Sequence, residues 1–224
     1  MCAAVGGTSS FGSLEFQLVL LRRMADFQAG MVEEARRELG VDAGAMREAN
    51  RRWQAMVRSP RGRRGAGLLR SVLGVPEAVE RRVVGDLECE ALRWPVVLWP
   101  ALRFEAVVAP GGALWNEWLV RGPGGAPPAP GALNGLRPWE YTVEEVARAF
   151  PARPMQGSAP TRWRLRVTAP EYEGGPVRDA VAEFTWGLLQ EVTVVKGASD
   201  PRCRSCEQMD GCSHEQVIIP RGIV

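Results

Sequence analysis

The sequence has a single histidine, His214, and a single lysine, Lys196, among its 224 residues. A Ser-His-Asp or Cys-His mechanism needs a histidine base, and the one histidine here lies among cysteines. Catalytic zinc sites with two or three histidine ligands are excluded by count. No P-loop is present, because the glycines at 62, 65 and 67 lack the lysine and Ser/Thr that such a loop needs. These absences favour a protein without enzymatic activity.

Long hydrophobic runs are also missing, and no stretch is long enough to cross a membrane. The N-terminal residues lack the basic start of a signal peptide. We therefore expect a cytoplasmic or nuclear protein with no membrane partner. In such a reducing compartment, cysteines favour metal binding or free thiols over disulfides.

The remaining composition is that of a folded protein. Hydrophobic residues make up 46% of the chain, which is enough to bury the core of one large domain or two small ones, and 25 glycines with 17 prolines predict long loops. The formal net charge is only +2, so the chain as a whole is not drawn to nucleic acid. The basic residues are almost all arginine, whose planar fork grips carboxylates and phosphates in two places.

The most unusual chemistry lies near the C-terminus, where three of the five cysteines and the histidine fall close together. Thiolates and neutral imidazoles are good zinc ligands, and a two-residue gap lets two sulfurs of a tight turn face one ion. Four such ligands would close a structural Zn²⁺ site. The predicted ligands are Cys203, Cys206, Cys212 and His214. Free thiols in a tail are the alternative.

The C-x2-C-x5-C spacing of Cys203, Cys206 and Cys212 also resembles the C-terminal part of the iron–sulfur staple in RecB-like and Cas4-like nucleases. This resemblance implies an iron–sulfur cluster, with Cys89 as the fourth ligand. The sequence lacks the acidic pair and the Glu-x-Lys signature of those enzymes, so a shared fold would come without the activity.

Periodicity predicts an α+β protein with a helical N-terminal part and a Trp-rich antiparallel β part. The cysteines and the histidine add a predicted C-terminal metal knuckle. The predicted divisions are a flexible N-terminus (1–13), a helical region (14–84), a mainly β region (85–199) with a Gly/Pro loop (121–137), and the knuckle with its tail (200–224). In the helical region, steps of three and four predict one long helix over 14–39, a second over 43–58 and a short helical piece over 68–84. The apolar side of the 14–39 helix is a candidate protein-partner surface.

In the β region, alternating polar and apolar residues predict a hairpin of strands 102–108 and 114–120 and a strand over 161–168 with one arginine-rich face. Thr142 and Glu145 form a capping-box pattern, which predicts a helix from Val143 to Phe150. A helix-turn-helix beginning there is disfavoured by the prolines that follow. The middle of residues 177–195 fits either helix or strand, and the end, where Val192 to Val195 alternate, favours a strand.

The most basic segment runs from residue 47 to residue 70 and holds one acidic residue, Glu48. A basic helix face beside a glycine–arginine loop is typical of phosphate binding, although a solvated surface has the same pattern. The candidate nucleic-acid-binding residues are Arg47, Arg51, Arg58, Arg61, Arg63, Arg64 and Arg70. We thus expect a non-enzymatic binding or scaffold component of a larger assembly, stapled by a metal. A nucleic-acid-binding protein and an iron–sulfur protein are the alternatives.

Overall fold

The computed structural model describes residues 10–125, 127, 129–156 and 161–195. The chain divides into two units, one up to Gly125 and one from Ala126 onward, and each is described by itself. No helix in the described ranges is both long and apolar enough to cross a membrane. The predicted metal knuckle and its tail lie outside these ranges.

Unit 1 begins with four helices. The helices are α1 (Ser13–Met24), α2 (Ala29–Glu38), α3 (Ala43–Arg58) and α4 (Gly65–Leu73). Helix α1 starts after Gly12, whose N–H donates to the Glu15 carboxylate at 2.9 Å. In α3, the Asp42 side chain accepts a hydrogen bond from the Ala45 N–H at 2.7 Å.

The single helix predicted over 14–39 is wrong, because a turn after Met24 separates α1 from α2. The N–H groups of Phe27 and Gln28 both donate to the Met24 carbonyl there. Apolar steps of three and four continue across the turn, so periodicity alone did not detect the break. The α1 residues Leu18 and Leu21 are buried in unit 1, and this part of the stripe is therefore core and not an open partner surface.

A four-stranded antiparallel sheet follows the helices, with its strands paired in chain order. They are β1 (Ala78–Val84), β2 (Leu87–Pro95), β3 (Leu102–Val108) and β4 (Leu114–Arg121). The β3–β4 hairpin confirms the predicted one. Only the first third of the helical piece expected over 68–84 is helical, because Gly74 at φ 81° ends α4 and the valine-rich segment beyond it pairs with β2.

The core of unit 1 lies between the helices and one face of this sheet. The Phe16 ring of α1 meets the Phe104 ring of β3 edge-on at 4.8 Å and the Trp53 ring of α3 at 5.1 Å. Trp94 of β2 faces Phe104 across the strands, and its Nε1 atom donates to the Gly74 carbonyl at 3.0 Å. These contacts fix α1, α3 and the end of α4 on the sheet.

Unit 2 repeats the order of a helix followed by a four-stranded antiparallel sheet. After a 3₁₀ turn at Leu133–Gly135 come α5 (Val143–Ala149), β5 (Ala152–Pro154), β6 (Arg162–Pro170), β7 (Val177–Thr185) and β8 (Leu188–Val194). The predicted capping box is confirmed, with the Thr142 N–H donating to Glu145 at 2.8 Å. The core contains Val146 of α5 and the strand residues Leu165 and Phe184.

Two open questions of the β region are settled by unit 2. Residues 177–195, whose middle fitted either state, form the strands β7 and β8 joined at Trp186 and Gly187. Helix α5 is followed by β5, so no helix-turn-helix forms in this part of the described chain. Tryptophans lie on β2, β4 and β6 as well as in turns, and the Gly/Pro loop over 121–137 contains the division between the units.

Candidate nucleic-acid interface

The arginine segment is carried by α3, by the loop after it and by α4. The inner side of α3 is held by the buried residues Met46, Ala49 and Trp53. At 100° per residue, the exposed residues Arg47, Arg51 and Arg58 therefore lie within about 40° of one another on the opposite side, in a row about 16 Å long. The sequence prediction of one basic helix face agrees with this placement.

The loop after α3 holds Arg61 and Arg63 at exposed positions and leads through Arg64 into α4. The end of this loop is fixed where the backbone of Gly65 lies close to the backbone of Gly112. A Cβ atom on Gly65 would lie 2.6 Å from the Gly112 carbonyl oxygen, and its φ of 55° is in the left-handed region. The loop arginines are thus anchored beside the β3–β4 turn, and Arg70 lies on the exposed side of α4.

One predicted site residue is neutralised locally. The Arg51 guanidinium donates to the Glu48 carboxylate at 2.7 and 2.8 Å. This hydrogen bond lowers the pKa of Glu48 and raises that of Arg51. Arg52, which was not among the predicted residues, lies over the Phe11 ring at 5.4 Å and so has a packing contact.

The other predicted arginines have no carboxylate partner among the residues that the structure describes. In the described parts of the chain, no ion pair involves Arg47, Arg58, Arg61, Arg63, Arg64 or Arg70. Elsewhere many arginines are paired: Arg103 lies 2.8 Å from Glu77, and Arg93 lies 2.7 Å from Glu105. The segment is therefore a surface with unusually many unneutralised cations.

The arginine-rich face of the 161–168 strand does not share this property. In β6, Arg164 lies 3.1 Å from Glu183 and Arg166 lies 3.6 Å from Asp179, both on the neighbouring strand β7. Thr168 also donates to Asp179 at 2.7 Å. The carboxylates of β7 largely balance the cations of β6, so this face is not part of the candidate interface.

Sequence reasoning missed a charged cluster on the face of the first sheet opposite the helices. Glu105 of β3 is completely buried and lies 2.8 Å from Arg82 and 2.7 Å from Arg93. The Trp118 Nε1 atom donates to the same carboxylate at 3.0 Å, and Arg93 also binds Glu80. Strand alternation places Glu105 away from the helices but cannot reveal partners on three neighbouring strands.

A second unexpected carboxylate is Glu117 of β4. It lies opposite Ala106, on the helix-facing side of the sheet, and makes no hydrogen bond or ion pair within the described residues. Burial raises the pKa of Glu117 to about 7. Glu105 lies on the other face of the sheet, so the two carboxylates do not form a catalytic pair.

In unit 2, a cavity of about 310 Å³ lies between the proline-rich loop and α5. Its walls are mostly apolar and include Pro130 and Tyr141. Two polar side chains at its rim are already engaged, since Glu145 caps α5 and Arg148 pairs with Glu144. No set of convergent polar groups marks this cavity as an active site.

The predicted metal ligands Cys203, Cys206, Cys212 and His214 lie outside the described residues. Cys89, the proposed fourth ligand of an iron–sulfur cluster, is buried beside Val84 and Val107. Within the described ranges, no three His, Cys, Asp or Glu side chains are grouped to hold a metal.

Comparisons with known proteins add little. The sequence matches no protein family, and no curated protein is detectably similar to it. Among solved structures, it is similar to a Streptococcus mutans protein provisionally named a beta-lactamase inhibitor protein. The identity is 11%, the match covers 58% of this chain and 80% of that one, and the TM-score is 0.23. Such a TM-score supports no conclusion about fold or function.

Proposed function

We propose that the protein is a non-enzymatic component of a larger assembly that binds the phosphate backbone of a nucleic acid. The supporting observation is the set of exposed arginines in the 47–70 segment that form no ion pair with any described residue. Exposed cations that are not neutralised within the fold release counterions when they meet phosphates, and this release favours binding.

Arginine geometry favours phosphate over a carboxylate-rich protein as the ligand. The guanidinium fork binds a phosphate through two parallel hydrogen bonds. Along α3 the row offers two cations without an ion pair among the described residues, Arg47 and Arg58, which lie about 16 Å apart along the helix axis. The first turn of α4 carries no acidic residue and no side-chain cap, so its positive dipole end adds to the field of Arg63 and Arg64.

Contacts of this kind carry no sequence information, because phosphates are the same at every base. We therefore propose a sequence-independent affinity that positions the protein on the nucleic acid. The predicted zinc knuckle of Cys203, Cys206, Cys212 and His214 is part of the proposal as a structural staple, since four protein ligands leave no open coordination position.

The test is fluorescence anisotropy with a labelled DNA duplex of about 20 base pairs at several salt concentrations. The triple variant Arg61→Gln, Arg63→Gln, Arg64→Gln should bind more weakly, and the slope of log K against log salt should fall by about one for each lost phosphate contact. The matched control is Arg23→Gln, Arg37→Gln, Arg153→Gln, which removes the same charge from arginines that also lack ion pairs. Equal weakening by both triples, or no salt-sensitive binding by the unaltered protein, would overturn the proposal.

A further inference from the structure

The outer edge of the first sheet is formed by β1, whose residues are mostly exposed. Its pairing with β2 runs without a bulge from Ala78 to Val84, and the strand contains no proline and no lysine. Bulges, prolines and lysines normally protect an edge strand against pairing with another strand. The free side of β1 therefore presents backbone N–H and C=O groups to which another strand can bind.

The charged residues that would protect this edge are turned away from it. Glu80 binds Arg93 at 2.8 Å, and Arg82 binds Glu105 at 2.8 Å, both on the face opposite the helices. Because their charges are satisfied within their own sheet, they do little to repel an incoming strand.

The other face of β1 carries Val79, Arg81 and Val83, at alternate positions. Val79 pairs with Leu92, in line with the helix-facing residue Ala106, but its side chain stays largely uncovered by the described residues. Val79 is 53% exposed and Val83 is 63% exposed. Arg81 is exposed and has no ion pair in the described chain. Arg81 lies directly opposite Glu90 of β2 without forming an ion pair with it, so the surface has two apolar positions separated by an exposed cation.

The antiparallel register of two β1 strands that would cover both valines disfavours a second copy of the chain at this edge. Antiparallel pairing of two β1 strands places Val79 opposite Val83 only in the register centred on Arg81. That register sets Arg81 against Arg81, and directly opposed like charges destabilise a strand pair. Registers centred one residue to either side place a valine of one copy opposite a charged residue of the other.

We propose that β1 is a docking site for an extended segment of a protein partner that adds to the sheet edge and reads apolar, acidic and apolar at alternate positions. The acidic side chain lies opposite Arg81, and the two apolar side chains cover Val79 and Val83. Main-chain hydrogen bonds supply affinity in this mode of recognition, and the alternate side chains supply specificity. This inference does not depend on the arginine segment, which lies on other elements of the unit.

The test uses synthetic peptides with the seven-residue length of β1. The first has valine at its second and sixth positions, glutamate at its centre and threonine elsewhere, and the second has lysine at its centre. Binding to the isotopically labelled full-length protein is followed by NMR amide shifts at low salt, where the charge is not screened. The glutamate peptide should bind about five- to tenfold more tightly, with the largest shifts in β1.

The Arg81→Glu variant should reverse this preference, so that the lysine peptide binds more tightly. Arg37→Glu on α2, another exposed arginine without an ion pair, should leave the preference unchanged. A glutamate peptide with alternate amides N-methylated should lose binding, because it cannot donate to the edge of β1.

Three results would overturn the proposal. They are equal affinity for the two peptides, absence of shifts at about 1 mM peptide, where even millimolar binding is visible, and concentration-dependent dimerisation through β1. Since these experiments contain no nucleic acid, they fail or succeed separately from the duplex-binding test.

Discussion

The Nε atom of Arg93 lies 2.7 Å from a carboxylate oxygen of Glu105, whose side chain is completely buried. Arg93 reaches Glu105 from the adjacent strand, and Arg82 reaches it from one strand further at 2.8 Å. Because Trp118 of β4 also donates to it, this one carboxylate joins all four strands of the first sheet. A buried charge keeps its place only when such partners replace the water that it has lost.

Replacing Glu105 by Ala should destabilise unit 1 strongly, because two arginines that are largely covered lose their shared partner. Breaking a buried ion pair from one side costs about 3–5 kcal/mol, and the partial exposure of the arginines favours the lower end. Urea unfolding monitored by circular dichroism measures the change. As a control, Glu80→Ala removes an exposed partner of Arg93 and should cost less than about 1 kcal/mol. Similar losses in the two variants would show that Glu105 is not the centre of the cluster.

The partly buried carboxyl of Glu117 should make the protein less stable as the pH rises. Burial raises its pKa from 4.5 to about 7, so the folded state holds this proton more tightly than the unfolded chain does. Stability should therefore fall between about pH 4.5 and pH 7, by at most about 3 kcal/mol, and the penalty should remain at higher pH.

The variant Glu117→Gln should remove this dependence. Near pH 8 it should be more stable than the unaltered protein, while near pH 4 the two should be nearly equal. Unfolding free energies from urea titrations at both pH values provide the comparison. Glu88→Gln, at an exposed position of β2, should change neither value appreciably. A stability difference between the Glu117→Gln variant and the unaltered protein that stays constant across this pH range would mean that Glu117 titrates normally.

Substitution of Gly65 should be harmful, whereas substitution of Gly67, two residues away in the same helix, should be favourable. A Cβ on Gly65 meets the Gly112 carbonyl oxygen at 2.6 Å and requires a positive φ, which costs an L residue about 1–2 kcal/mol before the clash is counted. Gly67 has open space around it, and alanine there should add about 0.5–1 kcal/mol. Thermal unfolding of Gly65→Ala and Gly67→Ala tests the contrast, and shifts of the same sign would contradict it.

The predicted metal knuckle should hold about one zinc ion per chain, and Cys206→Ser should abolish its retention. Elemental analysis and an absorption spectrum of anaerobically purified protein measure this directly. Cys2→Ser, outside the cluster, should keep the metal. Iron with sulfide that disappears on Cys89→Ser would instead favour the iron–sulfur alternative, and protein without metal would leave the cysteines as ordinary thiols.

Local rules predicted much of the fold. The capping box of Thr142 and Glu145 and the β3–β4 hairpin depend on residues close in sequence, and the structure confirms both. The turn between α1 and α2 and the strand β1 were missed. In each case the apolar spacing fits more than one conformation, and tertiary packing decides between them.

The pairing of the arginines also depends on tertiary structure that local sequence does not reveal. The arginines of β6 and those of the loop before α4 look equally basic in the sequence, yet only the first group faces carboxylates across a strand pair. The burial of Glu105 likewise depends on strand register. The candidate interface therefore consists of those arginines that form no ion pair among the described residues.

Both sheets pair their strands strictly in chain order, from β1 to β4 and from β5 to β8. Each ladder therefore joins segments that are near neighbours along the polypeptide, and the loops to be closed are short, which lowers the entropic barrier to folding. The N-terminal unit ends at Gly125, so all of its pairing partners are available before the second unit has been synthesised. We expect the two units to fold one after the other during translation, each without waiting for strands from the other.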